Sequence, residues 1–157
     1  MDEQLLGGLE VRRARSGNKL TSLIEVKQMN LGASAGPGSL VDDEFSGSMA
    51  FGPKWLKQMG SDPAKLSLIS VDGDSMDPTL CNGDDIMVDH GAAEATLRDG
   101  IYVLRTDDVL AVKRIAIKPG AKQITVASDN PAYPTWNDMD RSEVHVVGRV
   151  IWFGRAL

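Results

Sequence analysis

From Leu66 onward the chain is a series of short apolar runs, each cut off by turn-forming residues, and that punctuation excludes most ways of folding it. The runs are Leu66–Val71, Asp84–Asp89, Gly100–Arg105, Val109–Ile117, Gln123–Ala127 and Glu143–Phe153. Between them stand Asn82-Gly83, Thr106-Asp107-Asp108, Lys118-Pro119-Gly120-Ala121 and the loop Ser128-Asp129-Asn130-Pro131-Ala132-Tyr133-Pro134. Runs this short, rich in β-branched residues and closed by Gly, Pro, Asn and Asp, are strands joined by turns. The 16 glycines and 7 prolines serve that pattern, and a mainly β fold is expected. One short helix is expected over Pro53–Gly60, with proline near its start, glycine at its end, and Trp55, Leu56 and Met59 as its buried face. Further strands are expected over Ser48–Phe51 and Leu23–Asn30. Gly148, inside the last run, predicts a bulge or a close backbone approach.

The first run leads into Gly73-Asp74-Ser75-Met76-Asp77-Pro78-Thr79-Leu80. A buried strand followed by Gly73, which accepts a positive φ, and by Pro78 makes a sharp turn. A serine on such a turn presents its hydroxyl outside the packed layer, and the neighbouring N–H groups, those of Asp74 and Ser75, can face a developing oxyanion. A nucleophilic serine also needs a base. Alternation along Val109–Ile117 puts Val109, Ala111, Lys113, Ile115 and Ile117 on one face, where Lys113 is the only charged group. Burial there lowers the amine pKa, and a neutral amine can take the serine proton, the Ser-Lys variant of triad chemistry. Arg114 faces the other way, toward solvent. Asp74 is expected to point outward, since a carboxylate aimed at Lys113 would keep it protonated. His90 and His145 sit in no triad motif, and His90 reads as a surface residue.

Gly-Asp-Ser-Met-Asp-Pro-Thr-Leu at 73–80, followed by Val-Lys-Arg-Ile at 112–115, resembles the LexA/UmuD-type self-cleaving serine peptidases, a family that includes many phage repressors. The first motif is also similar to that of signal peptidase I. The resemblance runs from about Ala33 to the C-terminus. It implies the LexA C-terminal-like twisted β-sheet domain, with Ser75 as nucleophile and Lys113 as base. It further implies self-cleavage at an Ala-Gly bond ahead of the nucleophile, which Ala35-Gly36 matches. Small residues around that bond, Leu31-Gly32-Ala33-Ser34-Ala35-Gly36-Pro37-Gly38-Ser39, suit close entry into a cleft. By the same resemblance, a RecA filament formed on single-stranded DNA stimulates the cut, a population shift that makes the chain a DNA-damage switch of the SOS type. Homodimerisation through the C-terminal strands is implied as well.

The remaining features narrow the class. The 157 residues suit one domain with an extension, divided as an arm or linker over 1–32 and a peptidase and dimerisation domain over 33–157. Leu5, Leu6, Leu9 and Val11 suggest a turn or two of helix. Arg12, Arg13, Arg15 and Lys19 read as a solvated basic cluster. A net charge of −5 argues against DNA binding by the chain as a whole, and residues 1 to about 24 are too few for a helix-turn-helix reader. DNA contact is therefore expected only through a helix-turn-helix domain absent from this chain. One cysteine, Cys81, permits no internal disulfide and fits a cytoplasmic setting. No run approaches the roughly 20 apolar residues of a membrane span, and the acidic start lacks a leader-like core; membrane-anchored signal peptidase is thereby disfavoured. Asp84 and Asp85 read as exposed turn formers, and no metal or other cofactor is called for. Two regulatory roles follow: the C-terminal domain of a repressor that inactivates itself, or a UmuD-like accessory protein of a translesion polymerase activated by the same cut.

Overall fold

The computed structural model describes residues 11–16, 19–29 and 45–157. Within them the chain folds as one open sheet of ten strands. β1 (Val11–Ser16), β2 (Lys19–Met29) and β3 (Phe45–Phe51) are followed by helix α1 (Pro53–Gln58). Then come β4 (Leu66–Ser70), β5 (Asp85–Asp89), β6 (Gly100–Thr106), β7 (Val109–Ile117), β8 (Gln123–Ala127), β9 (Thr135–Asp140) and β10 (His145–Gly154). The order across the sheet is β1-β2-β4-β5-β10-β6-β7-β8-β9, and β3 pairs with the second half of β2. The mainly β expectation, with one short helix, is met.

Two strands depart from the sequence reading. Val11, read as helical, opens β1, which pairs with β2 from Val11↔Ile24 to Ser16↔Lys19. β9 was not anticipated. Thr135, Trp136, Asn137 and Asp138 are all exposed on a sheet edge, so no buried alternating face marks them as strand.

The core has three parts. Ile69, Val71, Met76, Leu80, Ile86, Val88 and Val103 lie beneath the turn that carries Ser75, with Leu110 and Val112 of β7 packed against them. Tyr102, Leu104, Ile115, Ile124 and Val126 form a second cluster. The third gathers Val26, Leu66, Leu68 and Met87 around Leu56 of α1, which is 0% exposed. Trp55 closes that end of the sheet: its ring stacks on Phe51 at 5.1 Å between centroids and meets Trp152 edge-on at 5.9 Å.

Gly148 marks both a bulge and a close approach. The β10–β6 register shifts between Val146 and Gly148. A Cβ there would lie 2.5 Å from Val88 Cγ1 and 2.9 Å from the Asp89 carbonyl oxygen. Backbone cannot yield as a flexible side chain does, so Gly148→Ala is expected to cost about 1–3 kcal/mol by overpacking. Urea denaturation measures this, and an unchanged midpoint would contradict the steric account.

β10 is interior in the strand order, not an edge. Its two halves differ, however: His145–Arg149 pairs with β6, and Arg149–Gly154 pairs with β5. Residues 150–154 therefore carry ladder partners on the β5 side alone among the described residues.

Candidate active site

β4 delivers the chain to the Ser75 turn. Val71 N–H donates to the Asp84 carbonyl (2.8 Å) and Gly83 N–H to the Val71 carbonyl (2.8 Å), tying the two ends of the β4–β5 connection together. Gly73 takes φ +90°, as its position after the strand required, and its N–H donates to Asn82 Oδ1 (2.8 Å). The Asp77–Pro78 peptide is cis. Met76 and Leu80, both 1% exposed, anchor the turn in the core. Ser75, just ahead of Met76, stays partly exposed, and its hydroxyl makes no hydrogen bond among the described residues. The N–H groups of Asp74 and Ser75 likewise have no acceptor there.

The anchoring of this loop corrects one reading. Asp84 is not an exposed turn former: it is 1% exposed. Its carboxylate accepts from Arg155 Nε (2.6 Å) and Nη2 (2.7 Å) and from Cys81 N–H (2.8 Å). The Arg155 hydrogen bond, first, and that from Cys81 hold its pKa below the ordinary carboxylate range against the opposing effect of burial. Asp85 Oδ1 accepts from Ser70 Oγ (2.7 Å) and Gln28 Nε2 (2.9 Å), joining β5, β4 and β2.

Lys113 stands on β7 opposite Tyr102 of β6, half-buried beside the Tyr102–Ile115–Val126 cluster. Its amine donates to Ser128 Oγ at 2.6 Å. Two aromatic faces flank it, Tyr133 at 5.7 Å and Trp136 at 5.6 Å from Nζ to ring centroid. Burial pushes the amine below its ordinary pKa of 10.5, as an apolar strand face should. Ring faces favour the ammonium and temper that effect. A cavity of about 560 Å³ opens beside the amine, lined by Leu104, Ala111, Val126, Trp136, Met139 and Val144 with Arg105, Asp107, Glu143 and His145. Arg114 does leave by the opposite face, but it is paired: Nε and Nη2 reach Asp129 Oδ1 and Oδ2 at 2.6 and 2.7 Å.

No hydrogen bond joins Lys113 to Ser75 among the described residues. What links their surroundings is the loop 128–134. Ser128 and the Tyr133 ring touch the amine. Asn130 N–H donates to the Ser75 carbonyl (3.0 Å), and Asn130 Nδ2 donates to the Asp74 carbonyl (3.0 Å). Tyr133 OH donates to Asp74 Oδ1, which raises the phenol pKa and engages the Asp74 carboxylate. Asp129 accepts from Thr79 Oγ1 at 2.5 Å on the nucleophile's turn while it holds Arg114 of β7.

Sequence reasoning treated this segment as a plain loop and so missed Ser128, Asn130 and Tyr133. The contact follows from the strand register, which the sequence reading did not fix. The β7–β8 ladder ends at Arg114↔Ala127, and one further step of that antiparallel register sets Ser128 across from Lys113.

His90 is also corrected. It is no free surface residue: Nε2 lies 2.6 Å from Ser67 Oγ, and Nδ1 lies 3.2 Å from the Val147 carbonyl. With Ser67 only 6% exposed, the pair ties β4 to β10 and presents no nucleophile to solvent. Ala35 and Gly36 lie outside the described residues.

Comparison with known proteins places these features. A family model described as Peptidase S24-like matches residues 28–151. The chain is 31% identical over 133 residues to the 26 kDa repressor protein of Escherichia phage HK022, an alignment covering 80% of this chain and 55% of that protein. It is 30% identical over 122 residues to repressor protein CI of Enterobacteria phage phi80, covering 75% and 50% respectively. Against the HTH-type transcriptional regulator PrtR of Pseudomonas aeruginosa it is 30% identical over 126 residues, covering 76% and 48%. The chain spans about half the length of the curated relatives it matches.

Proposed function

The chain belongs to the Peptidase S24-like family, and from that premise we propose that it is the regulatory part of a repressor-like regulator that cuts itself between Ala35 and Gly36. Ser75 Oγ attacks the Ala35 carbonyl carbon, and Lys113 Nζ, neutral, takes the hydroxyl proton. The N–H groups of Asp74 and Ser75 receive the oxyanion. The carbon–nitrogen bond then breaks, Lys113 returns the proton to the Gly36 amine, and water hydrolyses the acyl-serine.

The observation that carries this reading is the course of β2. It runs parallel to β4, with Gln28↔Leu68 and Met29↔Ile69 in register. Its C-terminal end therefore lies at the same end of the sheet as the exit of β4 toward Ser75. Ala35 follows Met29 by six residues, a stretch that reaches at most about 22 Å. The segment holding the scissile bond thus starts beside the strand that presents the nucleophile.

In the same reading residues 1–32 are the arm and 33–157 the domain, and the cut leaves 1–35 and 36–157 as the two products. A RecA filament favours the state with the segment in the cleft, so DNA damage triggers the cut. Copies pair along β10 residues 150–154, which have no ladder partner on the β6 side among the described residues. DNA contact comes from a separate helix-turn-helix domain. The three relatives are two phage repressors and a transcriptional regulator, which favours this role over a polymerase accessory.

Intact-mass spectrometry tests the cut. Incubation at about pH 9–10, or near pH 7 with RecA on single-stranded DNA and a nucleotide cofactor, should yield fragments ending at Ala35 and beginning at Gly36. An unchanged mass under both conditions overturns the self-cleavage reading.

A further inference from the structure

The geometry points to Ser128 as the positioning residue for the base: its hydroxyl oxygen fixes the Lys113 amine so that the nitrogen lone pair is aimed when the scissile segment arrives. This rests on the self-cleavage reading above. Lysine carries four side-chain torsions, and an amine held only by its stem samples many directions. Here Nζ has one hydrogen-bond partner among the described residues, Ser128 Oγ at 2.6 Å. Ser128 is itself 8% exposed at the end of β8, where it cannot swing into solvent. The residues that follow it seat the loop against the Ser75 turn through Asn130, Asp129 and Tyr133. The oxygen that orients the amine thus belongs to a loop braced on the nucleophile.

The bond also works in the direction catalysis needs. The amine donates to Ser128, so the neutral form spends an N–H there and keeps its lone pair for the Ser75 proton. The charged and titratable groups around the amine are Tyr133 from the loop, Arg105 and Asp107 from the β6–β7 hairpin, and Glu143 and His145 ahead of and on β10; the last four line the adjoining cavity. Ser128→Ala leaves those groups in place.

Two measurements test the assignment. In the first, self-cleavage is followed from about pH 7 to 10 for the native chain, Ser128→Ala and Ser128→Thr. Alanine should lower the plateau rate about 10- to 100-fold, as expected when a reacting group loses its aim. It should also move the midpoint of the pH profile downward, because the ammonium loses more than the amine does when an acceptor goes. Threonine keeps the hydroxyl and should restore most of the rate. A midpoint unmoved by alanine, or a rate lost without rescue by threonine, would reduce Ser128 to a structural role and overturn the proposal.

The second measurement does not depend on cutting. In the Ser75→Ala chain, which stays whole, carbon-13 NMR of labelled lysine ε-carbons follows the Lys113 titration directly. Adding Ser128→Ala should lower that midpoint, and an identical titration would overturn the contact even if no variant ever cleaved. A native chain that fails to cut while Ser128→Ala still moves the NMR midpoint would break the self-cleavage reading but leave the amine contact standing.

Discussion

Ser75→Ala is expected to leave the chain whole under conditions that cut the native protein, with no measurable change in folding. The hydroxyl bonds nothing among the described residues, so its removal strands no buried partner. Met76 and Leu80, which hold the turn in the core, are untouched. All of the loss should therefore fall on catalysis. Lys113→Met tests the base while keeping the length and apolar stem of the side chain. A positioned general base contributes about 10²- to 10⁴-fold, so the remaining rate should lie near the detection limit. This variant does strand a partner, because Ser128 Oγ loses its donor, and a small fall in melting temperature should accompany the loss of cutting. Intact mass after alkaline incubation reads the cleavage, and circular dichroism on heating reads the fold. Normal cutting by Ser75→Ala would remove the nucleophile from the mechanism, and normal cutting by Lys113→Met would remove the base.

How far such a site can be read from residues alone depends on which interactions define it. The Ser75 turn was legible because its cause is local: a buried run, a glycine needing φ +90°, and apolar residues placed to pin the turn down. The half-burial of Lys113 was legible because alternation along one strand decides it. The surroundings of Lys113 were not, because they come from another strand and another loop. Ser128 and Trp136 meet the amine only after β8 and β9 have folded back, and Trp136 is 45% exposed on a strand whose polar pattern hides it. Asp84 was misread for the same reason. Its partner Arg155 lies far along the chain, so composition around Asn82-Gly83 suggested an exposed turn, whereas the fold supplies a guanidinium that makes burial of the carboxylate tolerable. His90 repeats the lesson, with Ser67 and Val147 arriving from β4 and β10. Strand existence followed from local pattern; strand neighbours, and with them the hydrogen bonds of the site, followed from topology.

Self-cleavage is expected to accelerate steeply with pH, and the sign follows from the state of Lys113. Only the neutral amine can accept the Ser75 proton. Below its pKa the neutral fraction grows about tenfold per pH unit, so the rate should climb by that factor and level off once the amine is mostly neutral. Burial holds the Lys113 pKa below 10.5, so the levelling should come at lower pH than for a solvated lysine. Tyr133 is the competing explanation for an alkaline rise, since its hydroxyl also titrates and lies within the same group of contacts. Asp74 pushes the Tyr133 pKa above its ordinary 10.0, however, so its ionisation comes too late to produce a plateau below that pH. Tyr133→Phe should accordingly keep the rise. Lys113→Arg separates charge from basicity: a guanidinium preserves the positive group beside Ser128 but stays protonated at every accessible pH. That variant should show no alkaline activation. A rate profile flat from about pH 7 to 10 in the native chain, or an alkaline rise surviving in Lys113→Arg, would mean that some group other than Lys113 takes the proton.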